Sequence, residues 1–232
     1  MPYFYGFDFS YLIFCLPPLL LALWAQAKVK STFAHFSKVA SDRGMTGRDA
    51  ARLILDANGL QNVPVSQIAG ELTDHFDPRE NVIRLSDPVY NVRSVAAVGV
   101  AAHEAGHAVQ YAVGYSPMKI RSALVPVTNI GSNLAMPLVL LGILLSFETL
   151  AYLGVILFSA TAIFQLVTLP VEFDASRRAL AALEGSGMSA EGMKGAKKVL
   201  SAAALTYVAA LLTAVGNLLR LLVLVKRNDN RR

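Results

Sequence analysis

Residues 122–171 read SALVPVTNIGSNLAMPLVLLGILLSF, then Glu148, then TLAYLGVILFSATAIFQLVTLPV. These are two charge-free stretches, 122–147 and 149–171, joined at a single carboxylate. Each is about as long as the ~20 apolar residues that cross a bilayer core. So short a connection predicts an antiparallel helical hairpin, which returns the chain close to where it left. Two more windows, 9–27 and 199–219, are equally free of charge. Composition agrees: 54% of residues are apolar and only 16% charged, whereas soluble domains run near a quarter charged. The expected fold is mainly α, a polytopic membrane protein with about four transmembrane helices and a small α+β region.

The expected organisation follows from these windows. Residues 1–27 hold the first transmembrane helix, which Pro17-Pro18 should kink without preventing it. Its flanks are wrong for a cleaved signal, since no Lys or Arg precedes it and Lys28 and Lys30 follow. Residues 28–121 form a polar catalytic region, 122–171 the hairpin, 172–198 a second polar segment, and 199–232 a last apolar helix with a basic tail. Sixteen of the 21 Lys and Arg lie in 28–121 or 177–198, and none in 1–27 or 122–176. That asymmetry is the positive-inside pattern and puts both polar segments in the cytoplasm. It also explains the net charge of +5 without nucleic acid as a partner. Lys226, Arg227, Arg231 and Arg232 disagree: either the last helix does not cross, or the tail is a local exception. The single cysteine, Cys15, can form no intramolecular disulfide.

Upstream of the hairpin, residues 28–43 read as a mixed basic connector. Thr46 with Asp49 resembles a capping box, opening a helix that should stop at Asn58-Gly59. Residues 63–68, 71–76 and 81–86 have strand character, the last two flanking the turn Asp77-Pro78-Arg79-Glu80 as a hairpin. Residues 81–86 are expected to be a substrate-binding edge strand, because a peptide held as an added strand satisfies its backbone groups. Ser94 then opens an Ala- and Val-rich helix reaching Tyr111.

That helix carries His103-Glu104-Ala105-Gly106-His107. Four residues apart, the two imidazoles share a helix face, where they can bind one tetrahedral zinc. Glu104 sits about 100° round from His103. It can reach a water on that metal, whose pKa zinc lowers to about 7, and act as general base. A catalytic site needs a third protein ligand. The next acids are Glu148, Glu172 and Asp174. Glu148 lies at the far turn of the hairpin, whereas Glu172 follows its return, beside His103 and His107. Glu172 is therefore the expected third ligand.

His103–His107, a two-span hairpin and then Leu169-Pro170-Val171-Glu172-Phe173-Asp174-Ala175-Ser176-Arg177-Arg178 together resemble the YugP-type neutral zinc metallopeptidases of bacteria. These are small relatives of the HtpX-type and CAAX prenyl proteases. The resemblance extends to Asp74-His75-Phe76-Asp77-Pro78 and Tyr90-Asn91-Val92-Arg93-Ser94. It implies a gluzincin site with one zinc per chain, a Glu third ligand, a bacterial plasma membrane location and a peptide or membrane-protein substrate. The larger relatives carry an Asp four residues after that Glu, holding the first His ligand; Ser176 stands there in this chain. Arg177 and Arg178 either steady the site or mark the cytoplasmic boundary, and the second reading is preferred. His75 is a substrate or oxyanion contact, or an exposed polar group of the hairpin, the latter preferred.

Two other readings compete. A site-two-type intramembrane protease would take an Asp from a Leu-Asp-Gly segment as third ligand, and no such segment follows His107. A catalytically silent zinc-binding membrane adaptor would have no need of Glu104.

Overall fold

The break expected at Pro17-Pro18 falls just ahead of the prolines: α1 (Phe9–Phe14) ends and α2 (Leu16–Phe36) begins around Cys15. Proline carries no N–H, so the carbonyls of Ile13 and Phe14 lose their helical donors. This computed structural model describes residues 9–229, which excludes Arg231 and Arg232 of the tail. After α2 come α3 (Gly47–Ala57), β1 (Val65–Ile68), β2 (His75–Asp77), β3 (Val82–Ser86) and the short α4 (Asp87–Tyr90). The motif helix α5 (Val95–Ala112) follows, then α6 (Ser116–Leu144), α7 (Glu148–Gly185) and α8 (Ala190–Asp229). Among the described residues, four helical stretches are long and apolar enough to cross a membrane: Phe9–Phe36, Ser116–Leu144, Glu148–Gly185 and Ala190–Arg227. Because α8 is unbroken over that length, Lys226 and Arg227 lie at its opposite end from Lys194.

The chain divides into two compact units. The apolar unit comprises Met1–Ala25, Ile120–Thr168 and Thr206–Arg232. Here α6 and α7 form the antiparallel hairpin through small residues. A Cβ on Gly131 would meet the Leu157 carbonyl at 2.7 Å, one on Gly154 the Ala135 carbonyl at 2.6 Å, and one on Gly142 would run into the Ala151 backbone. Bare glycines let two helix backbones approach this closely, the usual basis of helix pairing where lipid removes the hydrophobic driving force. Along α8, Gly216 meets the freed Phe14 carbonyl, and the Cys15 thiol donates to Asn217 Oδ1 at 3.3 Å.

The polar unit comprises Gln26–Lys119 and Leu169–Leu205. Residues 28–36, expected as connector, continue α2 as helix. Lys28 and Lys30 are good helix formers and extend the helix with their charges exposed. Thr46 and Asp49 form the reciprocal capping box at the start of α3, and Asn58 caps its end. Gly59, at φ +72°, then takes a left-handed conformation that suits glycine. Ile54 and Leu55 of α3, Ile83 and Leu85 of β3, and Val98, Ala101 and Ala105 of α5 form one core with Val171, Ala179 and Leu183 of α7.

The sheet order is β1-β3-β2. β3 pairs in parallel with β1 and antiparallel with β2. The expected edge strand is therefore the central one, and its role as a peptide-binding edge does not stand. Ile83 and Leu85 are wholly buried, and both flanks of β3 are occupied by neighbouring strands. The segment expected as a strand from residue 71 is extended only from His75, since Leu72 (φ +57°) turns the chain first.

Candidate metal centre

Ser94 starts α5 by accepting from the Ala97 N–H at 3.2 Å. Nine residues on, the helix points His103, and one turn later His107, at the same carboxylate. Glu172 Oε2 lies 3.1 Å from His103 Nε2 and 3.4 Å from His107 Nε2. Three ligand atoms, one from each residue, all fall within 4.8 Å of one another. Tetrahedral ligands about 2.0–2.1 Å from a zinc stand about 3.3–3.4 Å apart, so the spacing suits that ion. Glu172 is nearly enclosed at 2% exposure. The imidazoles keep 12% and 10% of their side-chain surface exposed.

The two ligand-bearing helices touch at Gly106, where a Cβ would lie 2.6 Å from the Ala175 carbonyl. One of the two unspecified positions of the motif is thus sterically fixed, because any side chain would push α7 and Glu172 away from the histidines.

Around the ligand atoms lies a second layer of hydrogen bonds. Ser176 Oγ is 3.1 Å from His103 Nδ1, at the place where the larger relatives carry an Asp. Gln110 Oε1 is 3.0 Å from His107 Nδ1. The Gln110 amide donates to the Val171 carbonyl at 2.8 Å and to Asp174 Oδ2 at 2.9 Å. Asp174 is paired in turn with Arg177 and, at 2.6 Å, with the Arg178 Nε. With both Nε2 atoms facing Glu172, each Nδ1–H has an oxygen acceptor, which fixes the tautomer a metal needs. Burial disfavours a charged His107, but the carboxylates of Glu172 and Glu104 outweigh it and raise its pKa above the ordinary value.

Glu104 stands beside the ligands rather than among them. Its Oε2 accepts the Phe76 N–H of β2 at 2.9 Å. That N–H points away from β3, so the open edge of β2 faces the carboxylate. Behind it, Asp74 accepts from the backbone and hydroxyl of Ser86, both at 2.8 Å. Burial pushes the Asp74 carboxyl up, and the nearby Glu104 charge adds to the effect.

Of the residues singled out in the sequence, His103, His107 and Glu172 converge, with Glu104 and Ser176 adjoining. Arg177 reaches the centre only through Asp174. His75 opens β2 with its Nδ1 at 2.7 Å from the Thr73 carbonyl, outside the ligand cluster. Sequence reasoning missed Gln110, fully buried three residues after His107. The signal was present: an amide on the histidine face of an Ala-rich helix needs a partner. It also missed Asp174 as a link and Phe76 as the backbone donor to Glu104.

Residues 11–226 match the family described as "Putative neutral zinc metallopeptidase". The chain is also 50% identical over 205 residues to the "Putative membrane protease YugP" of Bacillus subtilis (strain 168), covering 88% of this chain and 91% of that one. No solved structure matches. A family match spanning nearly the whole chain, over a His, His and Glu cluster of zinc-like spacing, leads to one assignment: this protein belongs to the neutral zinc metallopeptidase family.

Proposed function

We propose that this chain is an integral membrane endopeptidase of gluzincin type. It holds one zinc through His103, His107 and Glu172, with Glu104 as general base. The convergence of both Nε2 atoms on one Glu172 oxygen carries the reading. Zinc, when bound, supplies a Lewis acid and makes water acidic enough to lose a proton at neutral pH. Glu104 takes that proton and delivers it to the departing amine, while Phe76 N–H holds the carboxylate in place. The extended peptide lies beside β2, in place of β3, while the Phe76 N–H stays with Glu104. A purified preparation should contain one zinc per chain and cleave peptides. Chelation should stop cleavage and zinc should restore it. Cleavage that survives complete metal removal would sink the reading.

Gln110→Leu and Ser176→Ala should each weaken zinc binding about 10- to 100-fold, as loss of such outer partners typically does. Arg177→Ala should change it little, since Arg178 still holds Asp174. Equal zinc affinity in all three variants, by competition with a chelating dye, would remove the orienting roles.

Zinc affinity should also fall with pH. A metal ligand must be deprotonated, and the His107 pKa is raised. Protons therefore begin to displace zinc above the ordinary histidine value of about 6.5, and affinity weakens further as pH drops. A titration flat from pH ~8 to ~6 would contradict this.

The site should face the cytoplasm, following the Lys and Arg distribution. Arg79→Cys and Gly185→Cys, both at exposed positions, provide the test because native Cys15 is buried. An impermeant thiol reagent should spare both in intact cells and label both after lysis. Strong labelling of both in intact cells would invert the topology.

A further inference from the structure

A cavity of about 700 Å³ lies in the polar unit between α2 and α8 and shares no lining residue with the metal centre. Lys28 enters it from α2, and Lys194, Lys197 and Lys198 from α8. No Asp or Glu lines it, and none of the four lysines forms an ion pair among the described residues. Four ammonium groups around one space without a counter-charge attract an anion. The Ser201 hydroxyl adds a neutral donor, whereas Ser31 Oγ already donates to the Lys28 carbonyl at 3.1 Å. Ala202 and Leu205 give it an apolar lining on the side of the apolar run of α8, while Thr32, His35 and Phe36 line its other end, where the Lys198 ammonium lies 5.9 Å from the centre of the Phe36 ring.

The level of the cavity identifies the anion. Lys28 is the first charge after the uncharged window 9–27, and Lys198 the last before the uncharged window 199–219. Both helices thus leave the apolar environment at residues that line the cavity. Ala202 and Leu205 continue one face of α8 from Lys198 towards its apolar run. A cationic rim at the height of lipid phosphates, above an apolar wall, fits a phosphodiester with its acyl chains attached. Basic pockets between membrane helices bind acidic headgroups in this way. A free phosphate would use the lysines but not the wall. We infer that this cavity binds the headgroup of an anionic phospholipid.

The full chain carries its own reporter. Trp24, the only tryptophan, is exposed and lies one turn before Lys28 on α2. In phosphatidylcholine vesicles containing phosphatidylglycerol, chain-brominated phosphatidylglycerol should quench Trp24 with roughly fivefold preference over brominated phosphatidylcholine. Replacing Lys28, Lys194, Lys197 and Lys198 together by Gln should abolish the preference. All four are exposed, and replacing the same four by Arg should retain it, separating charge from folding. Lys30→Gln with Lys38→Gln, outside the cavity, should also retain it. Absence of preference in the native chain would overturn the inference. So would an equal loss in the Lys30 and Lys38 control, which would indicate diffuse surface charge. Abolition by millimolar inorganic phosphate would assign the cavity to a soluble anion and overturn it as well.

Discussion

Glu104→Gln is expected to keep one zinc per chain and to lose peptide cleavage by about 10²- to 10⁴-fold, the usual contribution of a general base. Glu104 is not among the three converging ligands, so the metal should stay. Its Oε2 accepts the Phe76 N–H, and a glutamine carbonyl can accept the same bond. The side chain therefore keeps its place beside the centre and loses only its basicity. Metal analysis and a cleavage assay on one preparation separate the two properties. Cleavage at near the native rate would remove Glu104 from the mechanism. Loss of zinc would make it a ligand or a structural prop instead.

Glu172→Ala should strip the metal, whereas Asp174→Asn should only weaken it. Glu172 is the carboxylate both imidazoles face, at 3.1 and 3.4 Å. Without it only two protein ligands remain, too few for a zinc site. Asp174 lies two residues away, but its oxygens are engaged by Gln110, Arg177 and Arg178. It acts on His107 through Gln110, so its neutral amide should reduce affinity by about 10- to 100-fold, as removal of an outer partner does. The two substitutions should therefore differ by at least about tenfold in zinc affinity. The reverse order would make Asp174 the ligand.

The placement of Glu172 could be read from the sequence because it rests on two strong regularities. One is the four-residue spacing of His103 and His107 on a helix. The other is the near absence of a connection between two charge-free runs, which forces the chain back. The sheet was less legible. Residues 81–86 are β-prone, but nothing local distinguishes a central strand from an edge, since that depends on a parallel partner reached through a crossover. β2 is only three residues long, and its flank bends at Leu72, so its alternation is too brief to register. Ser176 was visible as a departure from the larger relatives' Asp, yet its contact with His103 depends on how closely α5 and α7 approach. Gly106 permits that approach, but it shows in the sequence only as an unspecified motif position. Gln110 shows the same limit: a buried amide announces that a partner exists without naming it.

Sixty-four residues lie between His107 and Glu172, and they include two long apolar helical runs. Under the proposed assignment, a nascent chain that has reached His107 holds two of the ligands and the base but not the third ligand. The remaining ligand arrives only when residues 120–168 have been made and their hairpin has formed. Chains truncated, stalled or mistargeted before that point carry a recognisable motif and no centre. Completion of the proposed centre is thus tied to the order of synthesis, and the second apolar helix of the hairpin is the last step before that centre can close.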